Sequence, residues 1–242
     1  MTSLDTAYNY QRYRSHQVLA SVAAGLLDLF EITTKVGFFP DGHDLTPERL
    51  RVAVQRTAED LGRIPDTVLL HNPECSIDGF EKACEALMLV RDEGLCRAWG
   101  ISTWDPRKLA ERSWVVPRPD VVMVRSGLTV PAHVLGAAER FTVQLAVPSV
   151  WGMAPFGGNA KDPVWSKTDT SLFLAPGQQA THRQAAVAAA FDIPTVERLA
   201  VGTSSPAHLT EIVQAESLTT STQVVERYRA LLRRRVDGGN SA

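Results

Sequence analysis

Residues 31–71 read EITTKVGFFPDGHDLTPERLRVAVQRTAEDLGRIPDTVLLH. A short β-rich run, Glu31 to Lys35, precedes a window in which Leu50, Ala53, Val54, Thr57, Ala58 and Leu61 share one helical face; a second β-rich run, Thr67 to His71, follows. The helix is framed on both sides, with Thr46 ahead of Pro47 at its first turn and Gly62 at its end. Strand, helix and strand in about 40 residues make one crossover unit of a parallel sheet.

The same alternation extends in both directions. Strand candidates are Ser3 to Asp5, Glu31 to Lys35, Thr67 to His71, Arg97 to Ile101, Val121 to Val124, Thr142 to Val147 and Leu199 to Val201. Helical stripes recur at Phe80, Ala83, Cys84, Leu87 and Val90 before Gly94, and at Leu209, Ile212 and Val213 after Pro206. Seven strands in 242 residues leave roughly 35 residues each, the size of one β/α repeat, and predict a TIM-type (β/α) barrel of parallel strands in a single domain over residues 1–242. No GxGxxG follows an early strand, which sets aside a doubly wound dinucleotide-binding sheet. Residues 149–179, rich in Gly and Pro and carrying Trp151, Phe156, Trp165 and Phe173, read as a long substrate loop. Residues 220–235 read as a C-terminal helix with Val224, Val225, Tyr228, Leu231 and Leu232 on one side and three arginines at an end that favours cations.

Composition excludes several classes. Twenty-five Lys and Arg against 27 Asp and Glu leave a net charge of −2, which gives no broad electrostatic case for nucleic acid. With 44% hydrophobic and 21% charged residues the chain has the make-up of a globular protein with a substantial core. The apolar stretch Val18 to Phe30 is broken by Gly25 and Asp28, so no membrane span is expected. The first residues contain no apolar secretory core, and the cytoplasm is the expected location. Cys75, Cys84 and Cys96 cannot all pair and lack CxxC spacing, which reads as reduced thiols. His16, His43, His133, His182 and His208 show no metal-ligand spacing; no metal is expected, and they read as surface or capping residues.

In a parallel barrel the C-terminal ends of the strands open into one mouth, so the residues there matter most. Asp5 closes the first strand, Lys35 the second and His71 the third, and Tyr10 follows Asp5 in a loop able to fold over the same opening. A phenol is a poor proton donor at neutral pH unless a nearby cation stabilises its phenolate, which a lysine ammonium held by a carboxylate does. A phenol so placed can protonate a carbonyl oxygen while an imidazole orients it. This is the chemistry of carbonyl reduction.

DTAYNY (Asp5 to Tyr10), TTKVG around Lys35, LLHNPE around His71 and AWGIST (Ala98 to Thr103) together resemble the aldo-keto reductase superfamily over nearly the whole chain. AVGTSSPAHL (Ala200 to Leu209) resembles its adenosine-phosphate segment; independently, the Gly202 to Ser205 turn entering a helix at Pro206 suits an anion. The resemblance implies an NADPH-dependent oxidoreductase with Tyr10 as general acid, Lys35 and Asp5 tuning it, and His71 orienting an aldehyde, ketone or sugar-like hydroxycarbonyl. Implied cofactor positions are Ser102, Thr103, Met123, Gly202, Thr203, Ser204, His208 and Glu211. Phe38, Phe39, Trp104, Trp151, Phe156 and Trp165 are the candidates for an apolar substrate wall.

Several family positions differ. Thr103 stands where the family has Asn, Met123 replaces a Gln that binds the nicotinamide amide, and Gly202, His208 and Ile212 stand where Lys, Arg and Asn often occur, with Glu211 retained. NADH therefore stays open beside NADPH, and the alternative is a redox-neutral lyase, dehydratase or isomerase that uses the same four residues without a nucleotide. Set against the family's eight-fold barrel, the first strand and helix are missing ahead of Ser3. The exposed edges are expected to be covered by a second copy, giving a homo-oligomer, or by another segment.

Overall fold

The two strands of the quoted unit are enclosed on both faces. In the computed structural model, which describes residues 2–239, β2 (Glu31–Val36) is buried from Ile32 onward and β5 (Thr67–His71) throughout. This is the burial a parallel strand has when helices cover its sheet. Polar members of such a strand need partners inside the protein. Thr34 takes a hydrogen bond of 2.8 Å with the His16 ring, and His16, read from sequence as a surface or capping residue, is in fact buried. Its burial pushes the imidazole down to about 4, so it packs as a neutral ring.

Before β2 come β1 (Ser3–Asp5), the short α1 (Tyr10–Tyr13) and α2 (Ser15–Val22); after it come a two-stranded hairpin, β3 (Phe38–Phe39) and β4 (Gly42–His43), and then α3 (Pro47–Leu61). Helix α3 runs as its spacing predicts. Leu50, Ala53, Val54, Thr57 and Leu61 are buried, and Gly62 ends it at φ +70. Leu50 is wholly enclosed, and such burial stabilises by about 2 kcal/mol. Helix α4 (Phe80–Asp92) lays Phe80, Ala83, Cys84, Leu87 and Val90 inward and packs against α3. Next along the chain are β6 (Ala98–Thr103), α5 (Arg107–Ala110), β7 (Val121–Arg125), α6 (Ala132–Gln144), β8 (Ser149–Met153), α7 (Val164–Lys167), α8 (His182–Ala190), β9 (Arg198–Ala200), α9 (Pro206–Gln214) and α10 (Thr222–Gly239).

The chain forms two compact units. The first runs to Met123 and includes Thr142–Ser149; the second comprises Val124–Phe141 and the chain from Val150. In the first, strands pair in parallel in the order β1-β2-β5-β6. In the second, β8 pairs in parallel with β9, Trp151 opposite Arg198, and an apolar cluster gathers Leu128, Val134, Phe173, Ile193 and Val225. No helix among the described residues is long and apolar enough to cross a membrane.

Between residues 142 and 179 the elements differ from those expected. Thr142 to Val147, expected as a strand, contains the last turn of α6, because Val134, Leu135, Ala137, Ala138 and Phe141 recur at helical spacing and carry the helix through Thr142. The helix closes with Val147 donating to the Thr142 carbonyl at 3.2 Å. The strand lies further on, at β8, inside the segment expected as loop. Residues 149–179 are accordingly no single loop: they hold β8, α7 and a helical turn, Thr170–Phe173, whose Phe173 is core.

Gly100, in β6, marks a close approach: a Cβ there would stand 2.1 Å from the Val121 carbonyl oxygen and 2.9 Å from Leu69 Cδ2. Gly100→Ala is expected to cost about 2–3 kcal/mol in urea unfolding. At Gly136, inside α6, an added Cβ meets only Arg140 Nη1 at 3.5 Å. There Gly136→Ala is expected to stabilise by about 0.5–1 kcal/mol through helix propensity. Equal effects at the two positions would contradict this packing.

Candidate active site

Strand register builds the site. Asp5 lies opposite Thr33, Lys35 opposite Leu69, and His71 opposite Ser102. Side chains alternate along a strand, so Lys35, two residues beyond Thr33, shares a face with Asp5; His71, two beyond Leu69, shares it with Lys35. Each strand thus carries its polar residue one step further along the same face.

The side chains meet accordingly. Lys35 Nζ lies 2.5 Å from Asp5 Oδ2 and donates to the Thr6 carbonyl at 3.0 Å; its side chain is only 2% exposed. The same ammonium stands 5.3 Å from the centroid of the Tyr10 ring, and that ring meets His71 edge-on at 6.0 Å. Tyr10 is 42% exposed and His71 9%, so the phenol forms the open side of the cluster and the imidazole its floor.

Electrostatics separates their roles. Burial raises the Asp5 carboxyl above its ordinary value and the Lys35 charge opposes that rise, leaving an ion pair with the ammonium fully enclosed. His71 is pushed down to about 3, first by burial, then by the Lys35 and His43 charges it would face if protonated. It is therefore a neutral ring, and its Nδ1 is buried with no hydrogen-bond partner.

Beyond Tyr10 the backbone is strained. Gln11, Arg12 and Tyr13 hold φ of +50, +56 and +65, a conformation costing about 1–2 kcal/mol per residue without glycine. The turn is held from outside. Tyr10 donates its amide to the Ala7 carbonyl at 3.1 Å, Ser15 Oγ donates to the same carbonyl at 2.7 Å, and Tyr13 meets Tyr8 edge-on at 5.7 Å.

Ser102 and Thr103 are both buried at the end of β6, two residues beyond the limit read from sequence. Thr103 is fully buried, its hydroxyl beside the Glu74 carboxyl, and a hydroxyl there can both donate to and accept from a carboxamide. Met123 is buried in β7 and offers no donor. Phe38 meets the His71 ring at 4.9 Å, whereas Phe39 is buried against Tyr8 and lies 4.2 Å beneath the Arg49 guanidinium. Trp104 is partly exposed, and its amide donates to Glu74 Oε1 at 2.8 Å.

In the second unit, Gly202, Thr203, Ser204 and His208 are exposed around the start of α9, which Ser205 caps by accepting from the His208 amide. An added Cβ at Gly202 would meet nothing, so this helix start is open to an anion. Glu211 is instead engaged by Arg183 and the Thr181 hydroxyl. Trp151 stacks under Arg198 at 5.0 Å, and Phe156 meets Trp165 edge-on at 5.4 Å, with Trp165 packed on the unit's apolar cluster.

Two residues near the cluster escaped the sequence reading. Glu74 accepts the amides of Trp104 and Asp105 at 2.8 and 2.9 Å, fixing the chain after β6; burial pushes its carboxyl up against those bonds. The other is His43, whose ring bonds the His71 carbonyl. An acidic residue followed 30 positions later by a strand end carries no local signal for Glu74. A histidine in a Gly-Asp turn region reads as solvent-exposed.

The sequence matches the family model described as Aldo/keto reductase family over residues 1–145. No curated protein matches the chain in sequence. Among solved structures, a holo-form aldo-keto reductase from Bacillus halodurans is similar, with a TM-score of 0.74, 21% identity and coverage of 96% of this chain and 82% of that one. An aldo/keto reductase from Klebsiella pneumoniae in complex with NADP and acetate gives 0.71 and 19%, over 96% and 80%; one from Brucella melitensis gives 0.68 and 19%, over 95% and 84%. These likenesses establish the parallel α/β barrel fold, here with seven strands in the main sheet of the described residues where the family barrel has eight. With the family model covering more than half of its length, this chain belongs to the aldo/keto reductase family of oxidoreductase enzymes.

Proposed function

We propose that this chain reduces an aldehyde, ketone or sugar-like hydroxycarbonyl with NADPH, or runs the reverse alcohol oxidation, with Tyr10 as general acid/base. One observation carries the reading: a fully enclosed ammonium, Lys35, lies 2.5 Å from a carboxylate and 5.3 Å from a phenol ring that touches a neutral imidazole. In this reading His71 donates a hydrogen bond to the substrate oxygen, and Tyr10 gives that oxygen its proton. The Lys35 ammonium then faces the phenolate left behind, and Asp5 keeps the ammonium aimed and compensated. A nicotinamide cofactor, when bound, would supply the hydride chemistry of this reaction. Ser102 and the buried Thr103 hydroxyl are the candidates to hold its carboxamide. The open start of α9, with Gly202, Thr203, Ser204 and His208, is the candidate for adenosine phosphates. NADPH stands ahead of NADH in this reading, with support from a Klebsiella pneumoniae relative solved in complex with NADP. Phe38 and Trp104 are the candidates for the apolar wall beside the reacting carbon.

Tyr10→Phe keeps the ring and removes the transferable proton. Its turnover is expected to fall by roughly 10²–10⁴-fold while calorimetric NADPH affinity stays within about two-fold. Wild-type turnover in this variant would refute the assignment of Tyr10. Turnover by protein stripped of nucleotide would instead select redox-neutral chemistry.

The neutral imidazole sets a pH expectation. A histidine pushed down to about 3 gains its proton only near that pH, so between pH 5 and 8 His71 remains a hydrogen-bond donor of unchanged charge. The pH profile of kcat/KM is expected to lack an acid limb near 6.5. A limb there that vanishes in His71→Gln would mean that the ring titrates as an exposed one.

A further inference from the structure

The search for how His71 is held leads away from its own ring. A catalytic imidazole is ordinarily oriented by a hydrogen bond at the nitrogen that does not face substrate. In His71 the Nδ1 atom is buried and makes no such bond. What holds this ring must act through its backbone or its faces.

Both are supplied by the β3–β4 hairpin. Phe38 and His43 are cross-strand partners, and their rings meet edge-on at 4.6 Å. Phe38 also meets the His71 ring edge-on at 4.9 Å, so the phenyl group stands between two imidazoles. His43 Nε2 lies 2.8 Å from the His71 carbonyl oxygen. A carbonyl only accepts, so Nε2 carries the proton. In the neutral ring Nδ1 is then the acceptor, and the Ser76 hydroxyl lies 2.9 Å from it and 3.2 Å from the His43 carbonyl, the other group its one proton can reach. Burial lowers the His43 imidazole, against the upward pull of the His71 carbonyl and Asp44, in keeping with that neutral tautomer.

The neighbouring backbone has made room for this bond. The last β2–β5 rung joins Val36 to Leu70, and Gly37 then leaves the ladder at φ +141. A Cβ at Gly37 would stand 3.1 Å from the His71 oxygen and 3.2 Å from His43 Nε2. The peptide that His43 grips is also the one before Asn72, which turns at φ +52. The hairpin is anchored in turn: Arg49 binds Asp41 at 2.6 Å and Asp44 at 2.8 Å, and the Asp44 amide donates to the Gly37 carbonyl at 2.8 Å.

We propose that His43 is a positioning residue for the reaction. Its Nε2–H clamps the His71 carbonyl and, with Phe38 wedged between the two rings, fixes the direction in which His71 meets the substrate oxygen. The proposal rests on the reading of His71 as the orienting group. It gives His43 no contact with substrate and no part in proton transfer.

The test uses benzaldehyde and NADPH as probe substrates with His43→Leu, His43→Gln, Gly37→Ala and His71→Ala. His43→Leu is expected to lower kcat about 10- to 100-fold, the effect of misplacing a group by about an ångström, with the NADPH dissociation constant unchanged. His43→Gln restores an N–H near the Nε2 position and is expected to recover at least half of the loss on a logarithmic scale. Gly37→Ala, which crowds the bond without removing the imidazole, is expected to lower kcat as well, and it serves if His43→Leu does not fold. A kcat within two-fold of wild type in a folded His43→Leu or Gly37→Ala variant overturns the proposal, as does an equal loss in the Leu and Gln variants. His71→Ala separates the two readings: if it retains wild-type turnover, the orienting role of His71 falls and this inference with it. If His71→Ala is impaired while the His43 variants are not, only this inference falls.

Discussion

An ammonium without solvent has to be compensated, and at Lys35 the compensation is Asp5. A buried charge left unpaired costs far more than an ordinary contact gains. The pair therefore ties the last residue of β1 to the last turn-facing positions of β2, 30 residues on in the chain. It does so next to an edge of the cluster that solvent still reaches, since the Asp5 side chain is 28% exposed. Strand register then does the rest. With Lys35 fixed against Leu69, the residue two positions further, His71, is delivered to the same face, and the phenol of the loop after β1 closes over them.

The positive charge has a second consequence, which reaches His71. Burial makes protonation of His71 unfavourable, and the Lys35 charge adds to that. The cluster consequently sets an enclosed ammonium and its carboxylate partner beside a neutral imidazole. In such a site the imidazole that a carbonyl oxygen would meet stays uncharged through moderate pH. The strained run from Gln11 to Tyr13 belongs to the same economy of placement. Three residues in the left-handed region bring the chain sharply from Tyr10 into α2, and backbone strain of this size persists only where surrounding bonds over-determine it. Here Ser15 and the Tyr10 amide both terminate on the Ala7 carbonyl.

What the sequence made legible follows from the same physics. Strand β5 is readable because its apolar run Val68 to Leu70 ends in a histidine that no core would otherwise admit, and α3 because its buried stripe is bounded by Pro47 and Gly62. Four polar strand-end and loop residues pointed to one cluster before any distance was known. The region after β7 was not readable in this way. Thr142 and Val143 are β-formers by composition, yet the helical stripe from Val134 to Phe141 carries them into α6, and tertiary packing overrides local preference. Strand β8, reading Ser-Val-Trp-Gly-Met, has a glycine where alternation would want a side chain. Gly152 is there because a Cβ would stand 2.3 Å from Ser126 Oγ, a contact invisible in the sequence.

The hairpin from Phe38 to His43 was illegible for a different reason: two-residue strands carry too few positions for any periodicity. Its residues looked like a polar turn with a pair of aromatics, and only one of the two aromatics faces the cluster. Alternation across so short a ribbon sends Phe38 to His71 and Phe39 to Tyr8 and Arg49. The two rings therefore do separate work, one against the imidazole and one against the wall that holds the hairpin down. A bulky residue at position 37 would disturb both at once, since the hairpin begins where Gly37 leaves β2. That single backbone position joins the strand that carries the ammonium to the ribbon that steadies the imidazole.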